Sequence, residues 1–186
     1  EYPNDFGSVS TERLSYLPDN EARKLATEPI LFENNSRYRG RALDKLIQLS
    51  AGNPFFLQKL CDQLIRHLNS IKQPYATEAD IIAVKERMIF GNERLSEEDF
   101  DPLITAGAED SAEAPRKEYL RLLTEVAFNS TLDEPAKKTS LSHLEGDDVL
   151  LKALEIRDVI ETDRHDAVKI KVGIFAEWLR YHGRRG

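Results

Sequence analysis

Apolar residues recur along the first half of the chain with the period of an α-helix. Between Phe56 and Leu68 they return every three or four positions, which predicts an amphipathic helix of about four turns with one face in a core. Gly52 ends the preceding helical pattern, Asn53 is suited to cap the next helix, and Pro54 is suited to its first turn. We call residues 52–54 the Gly-Asn-Pro corner.

Three more helices are predicted around this one, over residues 18–28, 41–50 and 81–89. Pro29 closes the first, because proline disfavours helical backbone in the residue that precedes it. Thr77 is suited to cap the last, with acidic residues in its first turn. A loop over 1–8 and a weak strand over 9–16 lead into this small helical bundle.

Composition changes after the bundle. Residues 91–115 contain two glycines, two prolines and an excess of acids, so we expect an acidic linker, in which Leu95, Phe100, Leu103 and Ile104 dock a turn of helix. No apolar pocket is evident around the acids Glu97, Glu98, Asp99 and Asp101, which favours solvated side chains over a catalytic cluster. We therefore divide the chain into 1–93, a linker at 94–115, and 116–186.

The last third combines helical and β patterns. Helices are predicted over 118–128, 140–144, 147–157 and 174–182, with a polar connection at 129–138. Residues 159–162 and 167–172 are β-rich and flank a tight polar turn, which predicts a two-stranded β-hairpin. Helix, short helix, helix and hairpin is the order of a winged helix domain. The predicted fold is mainly α, a small bundle followed by a winged helix.

Composition limits the function. The chain has 186 residues, 40% of them hydrophobic and 32% charged, which is typical of a soluble globular protein. No apolar run approaches the length of a membrane span, and no signal-peptide pattern is seen in the given sequence, so neither is expected. Cys61 is the only cysteine and lies on the apolar helix face, so a buried thiol and a reducing cytoplasm are expected. The net charge of −7 disfavours nucleic acid unless a local basic patch exists. Because the chain starts at Glu1 rather than Met, we expect a fragment of a longer protein.

Two sets of residue runs form a longer pattern over residues 12–182. The first set is Leu14-x-x-Leu17, Glu21-Ala22-x-x-Leu25 with Pro29, Tyr38, Ala42-Leu43, Gly52-Asn-Pro-Phe-Phe-x-Gln-x-Leu-Cys61 and Thr77-x-x-Asp80-Ile81. The second set is Leu154-x-x-Arg157-Asp158-Val159-Ile160 and Val172-x-x-Phe175-x-x-Trp178-Leu179. The pattern resembles the end of a prokaryotic AAA+ or STAND-like ATPase, where the first set corresponds to the helical lid and the second to the winged helix that follows it.

The resemblance implies that Gly52, Asn53 and Pro54 lie near the adenine and phosphates of ATP or ADP, bound with magnesium in a parent protein. It also implies that lid closure reports the nucleotide state. The chain itself lacks the phosphate-binding loop Gly-x-x-x-x-Gly-Lys-Ser/Thr and a strand that ends in paired acids. Phe55 and Phe56 stand where many such lids present an arginine, and neither Lys59 nor Arg66 is a convincing substitute. We therefore expect no catalytic residues, no cofactor held by this chain alone, and no enzyme activity in isolation.

The leading hypothesis is a regulatory fragment that couples nucleotide state in an N-terminal ATPase core to the position of the winged helix, which contacts an effector protein or a second copy. A second is DNA binding through helix 147–157 and the hairpin, or wing. Acidic residues lie beside the basic residues of this region, which predicts weak binding to DNA. The basic residues are Lys152, Arg157, Arg164, His165, Lys169 and Lys171, with Arg180, Arg184 and Arg185 in the tail. A third is a protein-docking scaffold without a nucleotide. The four histidines, His67, His143, His165 and His182, have no partners at metal-ligand spacing, so no metal site is expected.

Overall fold

The computed structural model describes residues 16–31, 33, 35–92, 94–105, 113–137, 141 and 148–183. They form a mainly helical structure with a small antiparallel sheet, as the sequence predicts. The elements are α1 Asp19–Thr27, α2 Ala42–Ser50, α3 Pro54–Ile71, α4 Glu78–Phe90, α5 Asp101–Ile104, α6 Glu113–Asn129, β1 Ala136–Lys137, α7 Asp148–Ile156, β2 Ile160–Thr162, β3 Ala167–Ile170 and α8 Gly173–His182. Short 3-10 helices cover Glu28–Ile30 and Glu97–Phe100. Below, residues 16–104 are the first half and residues 113–183 the second half.

The four helices predicted in the first half are confirmed as α1 to α4. The chain continues through Pro29 in a 3-10 turn, so the first helical stretch runs slightly further than expected. The predicted loop at 1–8 and most of the predicted strand at 9–16 lie outside the described residues.

Thr77 caps α4 as predicted, and it does so with Asp80. The backbone N–H of Thr77 donates to Asp80 Oδ2 over 2.7 Å, while Nε2 of His67 lies 3.2 Å from Asp80 Oδ1. Burial raises the pKa of the Asp80 carboxyl, but the hydrogen bonds from Thr77 and the contact with His67 outweigh it and hold that pKa below its usual range. This buried network ties the start of α4 to the last turns of α3.

The second half contains the predicted hairpin and one strand, β1, that was not predicted from the sequence. β2 and β3 pair antiparallel with Ile160 opposite Ile170. On the other side of β3, Ala136 pairs with Val168, so the sheet order is β1-β3-β2. Strand β1 lies within residues 129–138, which were predicted to be a polar connection without a strand. Helix α6 starts at Glu113, earlier than the predicted 118 and within the expected linker. Of the short helix predicted at 140–144, only residue 141 is described, outside any helix.

One continuous buried cluster includes residues from both halves. Leu95, Phe100, Leu103 and Ile104 are buried in it, as expected for a docked helical turn. Of the four acids predicted to be solvated, Glu97 and Glu98 are exposed. Three of the four also form ion pairs: Arg116 binds Glu97 and Asp101, each over 2.6 Å, and Lys59 binds Asp99. The division into a 1–93 domain, a 94–115 linker and a 116–186 domain stays a prediction.

Candidate functional site

The Gly-Asn-Pro corner requires glycine at its first position. Ala51 and Gly52 both adopt positive φ, 52° and 74°, and turn the chain from α2 into α3. The backbone N–H of Leu17 donates to the Gly52 carbonyl over 2.9 Å. A Cβ atom on Gly52 would lie only 2.5 Å from the Leu17 carbonyl oxygen, so any side chain there must push the two segments apart.

Asn53 caps α3 as predicted and uses the free N–H groups of the helix start. Its Oδ1 accepts from the N–H of Phe55 over 3.1 Å and of Phe56 over 3.3 Å. The Leu57 N–H donates to the Asn53 carbonyl, and Pro54 has no N–H to offer. The cap therefore occupies both the N–H groups of Phe55 and Phe56 and the Asn53 Oδ1 atom, so a ligand at the corner would have to displace these hydrogen bonds. The nucleotide role of Gly52, Asn53 and Pro54 stays a prediction.

A cavity of about 260 Å³ lies beside the corner, and acidic residues stand at its rim. It is lined by Asn53, Phe55, Phe56, Glu98, Asp99, Pro102 and Leu103. Phe55 is 46% exposed, and the Lys59 ammonium lies 4.7 Å from the centre of its ring. Lys59 is 2.5 Å from the Asp99 carboxylate, and Arg66, the other sequence candidate for a basic sensor, pairs with Asp62 over 3.0 Å. Both basic side chains are thus occupied by carboxylates.

Four aromatic rings form a column that runs from this corner into the second half. Phe100 stacks on Phe56 with ring centres 5.2 Å apart and on Phe175 at 4.6 Å, and Trp178 lies 5.1 Å from Phe100. All four side chains are at most 6% exposed. The sequence predicted that Phe100 helps to dock a turn of helix, without indicating against what. The structure places it between the first turns of α3 and α8, which lie in different halves.

Polar contacts fix the two halves on either side of this aromatic column. Trp178 Nε1 donates to the Leu95 carbonyl over 3.1 Å, and Lys85 pairs with Glu177 over 3.0 Å. On α2, Gln48 Nε2 donates to the Leu132 carbonyl over 3.0 Å. These contacts and the column together form what we call the junction.

Gly173 lets α8 reach α2 at the junction. A Cβ atom on Gly173 would lie 2.7 Å from the Gln48 carbonyl oxygen and 3.1 Å from the Leu49 Cα atom. The sequence marks Gly173 only as the end of a strand. Its role in close packing depends on a segment more than one hundred residues away, which local pattern does not reveal.

Helix α7, proposed from the sequence to read DNA, exposes two large apolar side chains among charged ones. Val149 is 77% exposed and Ile156 is 69% exposed, and the charged residues Asp148, Lys152 and Glu155 are exposed beside them. Arg157 lies beyond the helix end, where its guanidinium donates to the Leu103 carbonyl over 2.6 Å and lies 5.1 Å from the Tyr119 ring centre. Arg157 therefore belongs to the junction. The predicted start of this helix at Asp147 lies outside the described residues.

The hairpin offers little positive charge. Lys169 pairs with Glu161 over 2.7 Å and Lys171 pairs with Asp158 over 3.2 Å. Arg164 and His165 are exposed on the turn, beside the exposed acid Asp163. In the tail, Arg180 donates to the carbonyls of Ala127 and Ser130, whereas Arg184 and Arg185 lie outside the described residues. A phosphate backbone would thus meet mostly neutralised side chains.

Two other observations concern the described residues only. No group of three or more His, Cys, Asp or Glu side chains among them is arranged to hold a metal ion. None of the helices within the described ranges has both the length and the apolar character needed to cross a bilayer.

Comparison with known proteins gives no relative for this chain. No protein-family model, curated protein or solved structure is significantly similar to it.

Proposed function

We propose that this chain is the non-catalytic regulatory part of a STAND- or AAA+-like ATPase. In this proposal the first half is the lid, which meets ATP or ADP held by an N-terminal core, and the second half is a winged helix that contacts a partner protein. Three features of the second half support the winged helix: α6 precedes β1, α7 precedes the hairpin, and β3 lies between β1 and β2. The corner at Gly52 to Pro54 supports the lid.

The observation that carries the proposal is the position of Phe100. Its ring contacts Phe56 in the first turn of α3, two residues after Pro54, and Phe175 in the first turn of α8. Close-packed side chains transmit displacements because no free volume absorbs them. A shift of the corner on nucleotide exchange would therefore move α8 and the sheet packed beside it, so the two halves move together.

The outer surface of α7 supports a protein partner over DNA. In a DNA-binding winged helix this surface faces the major groove, where phosphate and base contacts require basic and polar side chains. Here it carries the exposed pair Val149 and Ile156, and its one exposed base, Lys152, is outnumbered by the exposed acids Asp148 and Glu155. Arg157 is held at the junction. Exposed apolar side chains on one helix face suit a protein surface.

The role of the corner is tested in the longer protein that includes the ATPase core. We would measure ATP affinity and hydrolysis for wild type, for Pro54→Ala, and for the control Pro74→Ala, which lies in the loop beyond the other end of α3. The proposal predicts that only Pro54→Ala changes nucleotide affinity. Unchanged affinity and hydrolysis in Pro54→Ala would remove the corner from the mechanism.

Coupling is tested by hydrogen exchange of the hairpin in the same protein with ATP and with ADP. We expect exchange in β2 and β3 to depend on the nucleotide in wild type, and this dependence to shrink in Phe100→Leu, which keeps an apolar side chain but loses the stacked ring. Hairpin exchange that is identical with both nucleotides in wild type would refute coupling.

DNA binding is measured separately, by fluorescence anisotropy of a labelled duplex at about 50 mM salt, where phosphate contacts are strong. We expect no binding by the chain. Binding that weakens steeply with salt and in Lys152→Glu would favour the DNA hypothesis instead.

A further inference from the structure

A basic and aromatic surface lies just beyond the C-terminal end of α3. The guanidinium of Arg39 stacks 4.1 Å from the centre of the Tyr75 ring, and Tyr75 is 43% exposed. Arg41 is exposed nearby, and no ion pair to Arg39 or Arg41 is formed within the described residues. The Arg39 N–H donates to the Ala76 carbonyl over 2.8 Å, which fixes this surface on the bundle. We call it the basic end.

An apolar cavity with an acidic rim lies at the opposite end of the same helix. It is the 260 Å³ cavity beside the corner, where Phe55 and Pro102 supply exposed apolar surface. Glu98 is exposed at its rim, and hydrogen bonding by Ser96 lowers the pKa of the Glu98 carboxyl, so it is ionised at neutral pH. We call this surface the acidic end.

The two ends are complementary but too far apart to meet within one molecule. The cavity adjoins the first turn of α3, and Tyr75 follows its last residue, Ile71, by four positions. With a rise of 1.5 Å per residue, the 18-residue helix separates the ends by roughly 25 Å. Among the residues that the structure describes, neither Arg39 nor Glu98 has an ion-pair partner, so both charges are available to a second molecule.

We propose that copies of this chain associate through these ends, with Arg39 and Tyr75 of one molecule seated in the acidic cavity of the next. The guanidinium of Arg39 pairs with Glu98, and the Tyr75 ring packs on Pro102 and on the part of Phe55 that the Lys59 ammonium, paired with Asp99, leaves open. This inference does not depend on the proposed ATPase function, because it uses only the opposite charges and the exposed apolar side chains of the two ends. Both surfaces of the contact belong to the same chain, which favours a second copy over an unrelated partner.

The proposed contact has two physical consequences. The interacting surfaces differ, so the contact is heterologous and builds rings or open chains unless two molecules pair side by side. A contact of a few side chains is smaller than the roughly 1,200 Å² of a stable interface, so the association is weak, and exposed ion pairs make it salt-sensitive.

Sedimentation velocity of the whole chain from about 10 µM to about 1 mM, a range suited to weak contacts, is the first test. We expect the mean sedimentation coefficient of wild type to rise with concentration and to fall back to the monomer value in about 1 M salt. Arg39→Glu and Glu98→Lys should each remain monomeric. The control Arg66→Glu reverses a charge in the middle of α3 and should associate like wild type. Circular dichroism verifies that every variant is folded.

Mixing the two non-associating variants is the decisive measurement. The Glu98→Lys chain keeps a native basic end and the Arg39→Glu chain keeps a native acidic end, so an equimolar mixture should regain association. The double variant with both charges reversed should also regain it. A monomeric wild type at every concentration, association that persists in either single variant, or a mixture that stays monomeric would each overturn the proposal.

Discussion

Replacing Phe100 with alanine is expected to destabilise both halves of the protein together. The side chain is fully buried and stacks on rings from two helices that belong to different halves. Removal of a buried phenylalanine side chain typically costs about 3–5 kcal/mol, because apolar contacts are lost and a cavity remains. Total stability of a domain is only about 5–15 kcal/mol, so Phe100→Ala should lose a large share of it.

Urea unfolding followed by two signals measures this effect. Trp178 is the only tryptophan and lies in the aromatic column, so its fluorescence reports the junction, while far-ultraviolet circular dichroism reports all helices. In wild type the two transitions should coincide, as expected for one cooperative unit. In Phe100→Ala both should move to lower urea by the same free energy.

Phe90→Ala is the matched control, because Phe90 is 53% exposed and contacts the Tyr181 ring edge to face, with ring centres 4.4 Å apart. Its loss should cost about 1 kcal/mol, since only half of the ring is buried. The reasoning about Phe100 is refuted if its replacement costs no more than that of Phe90. It is also refuted if the fluorescence transition moves and the circular dichroism transition does not, because the halves would then unfold independently.

Three further predictions concern single side chains. Asn53→Ala removes the cap of α3 and should cost about 1 kcal/mol in urea unfolding, whereas Asn69→Ala, exposed near the other helix end, should cost less. Burial raises the pKa of the Cys61 thiol to about 11, so iodoacetamide at pH 8 should label it far more slowly than in urea-unfolded protein. Folding lowers the pKa of the Asp80 carboxyl, so its stabilising contribution is present above about pH 4 and is lost as the pH falls through the folded-state pKa. The unfolding free energy of wild type should therefore decrease between about pH 7 and about pH 3. This decrease should be smaller in Asp80→Asn.

Local features of the fold were predictable from the sequence because their causes are local. The cap at Asn53, the proline after it and the capping box at Thr77 each act within four residues, and the hairpin carries its own alternation. Strand β1 was missed because two residues, Ala136 and Lys137, are too short to show a period.

The junction could not be predicted because its contacts join distant parts of the chain. Phe100 is surrounded in sequence by acids, so nothing local indicates that it reaches Phe175. Arg157 resembled a phosphate-binding side chain at a helix end until the structure placed it on the Leu103 carbonyl, 54 residues away. Arginine in sequence indicates a charge, and only the fold decides whether that charge faces solvent or a carbonyl.

The short helical segment 97–104 connects the corner to the second half by a route separate from the aromatic column. One face of it, with Glu98 and Pro102, lines the cavity beside the corner, and the other face places Phe100 in the column. Leu103 lines the same cavity, and its carbonyl is held by Arg157, three residues before β2. Any group that enters the cavity therefore contacts the segment that holds the hairpin.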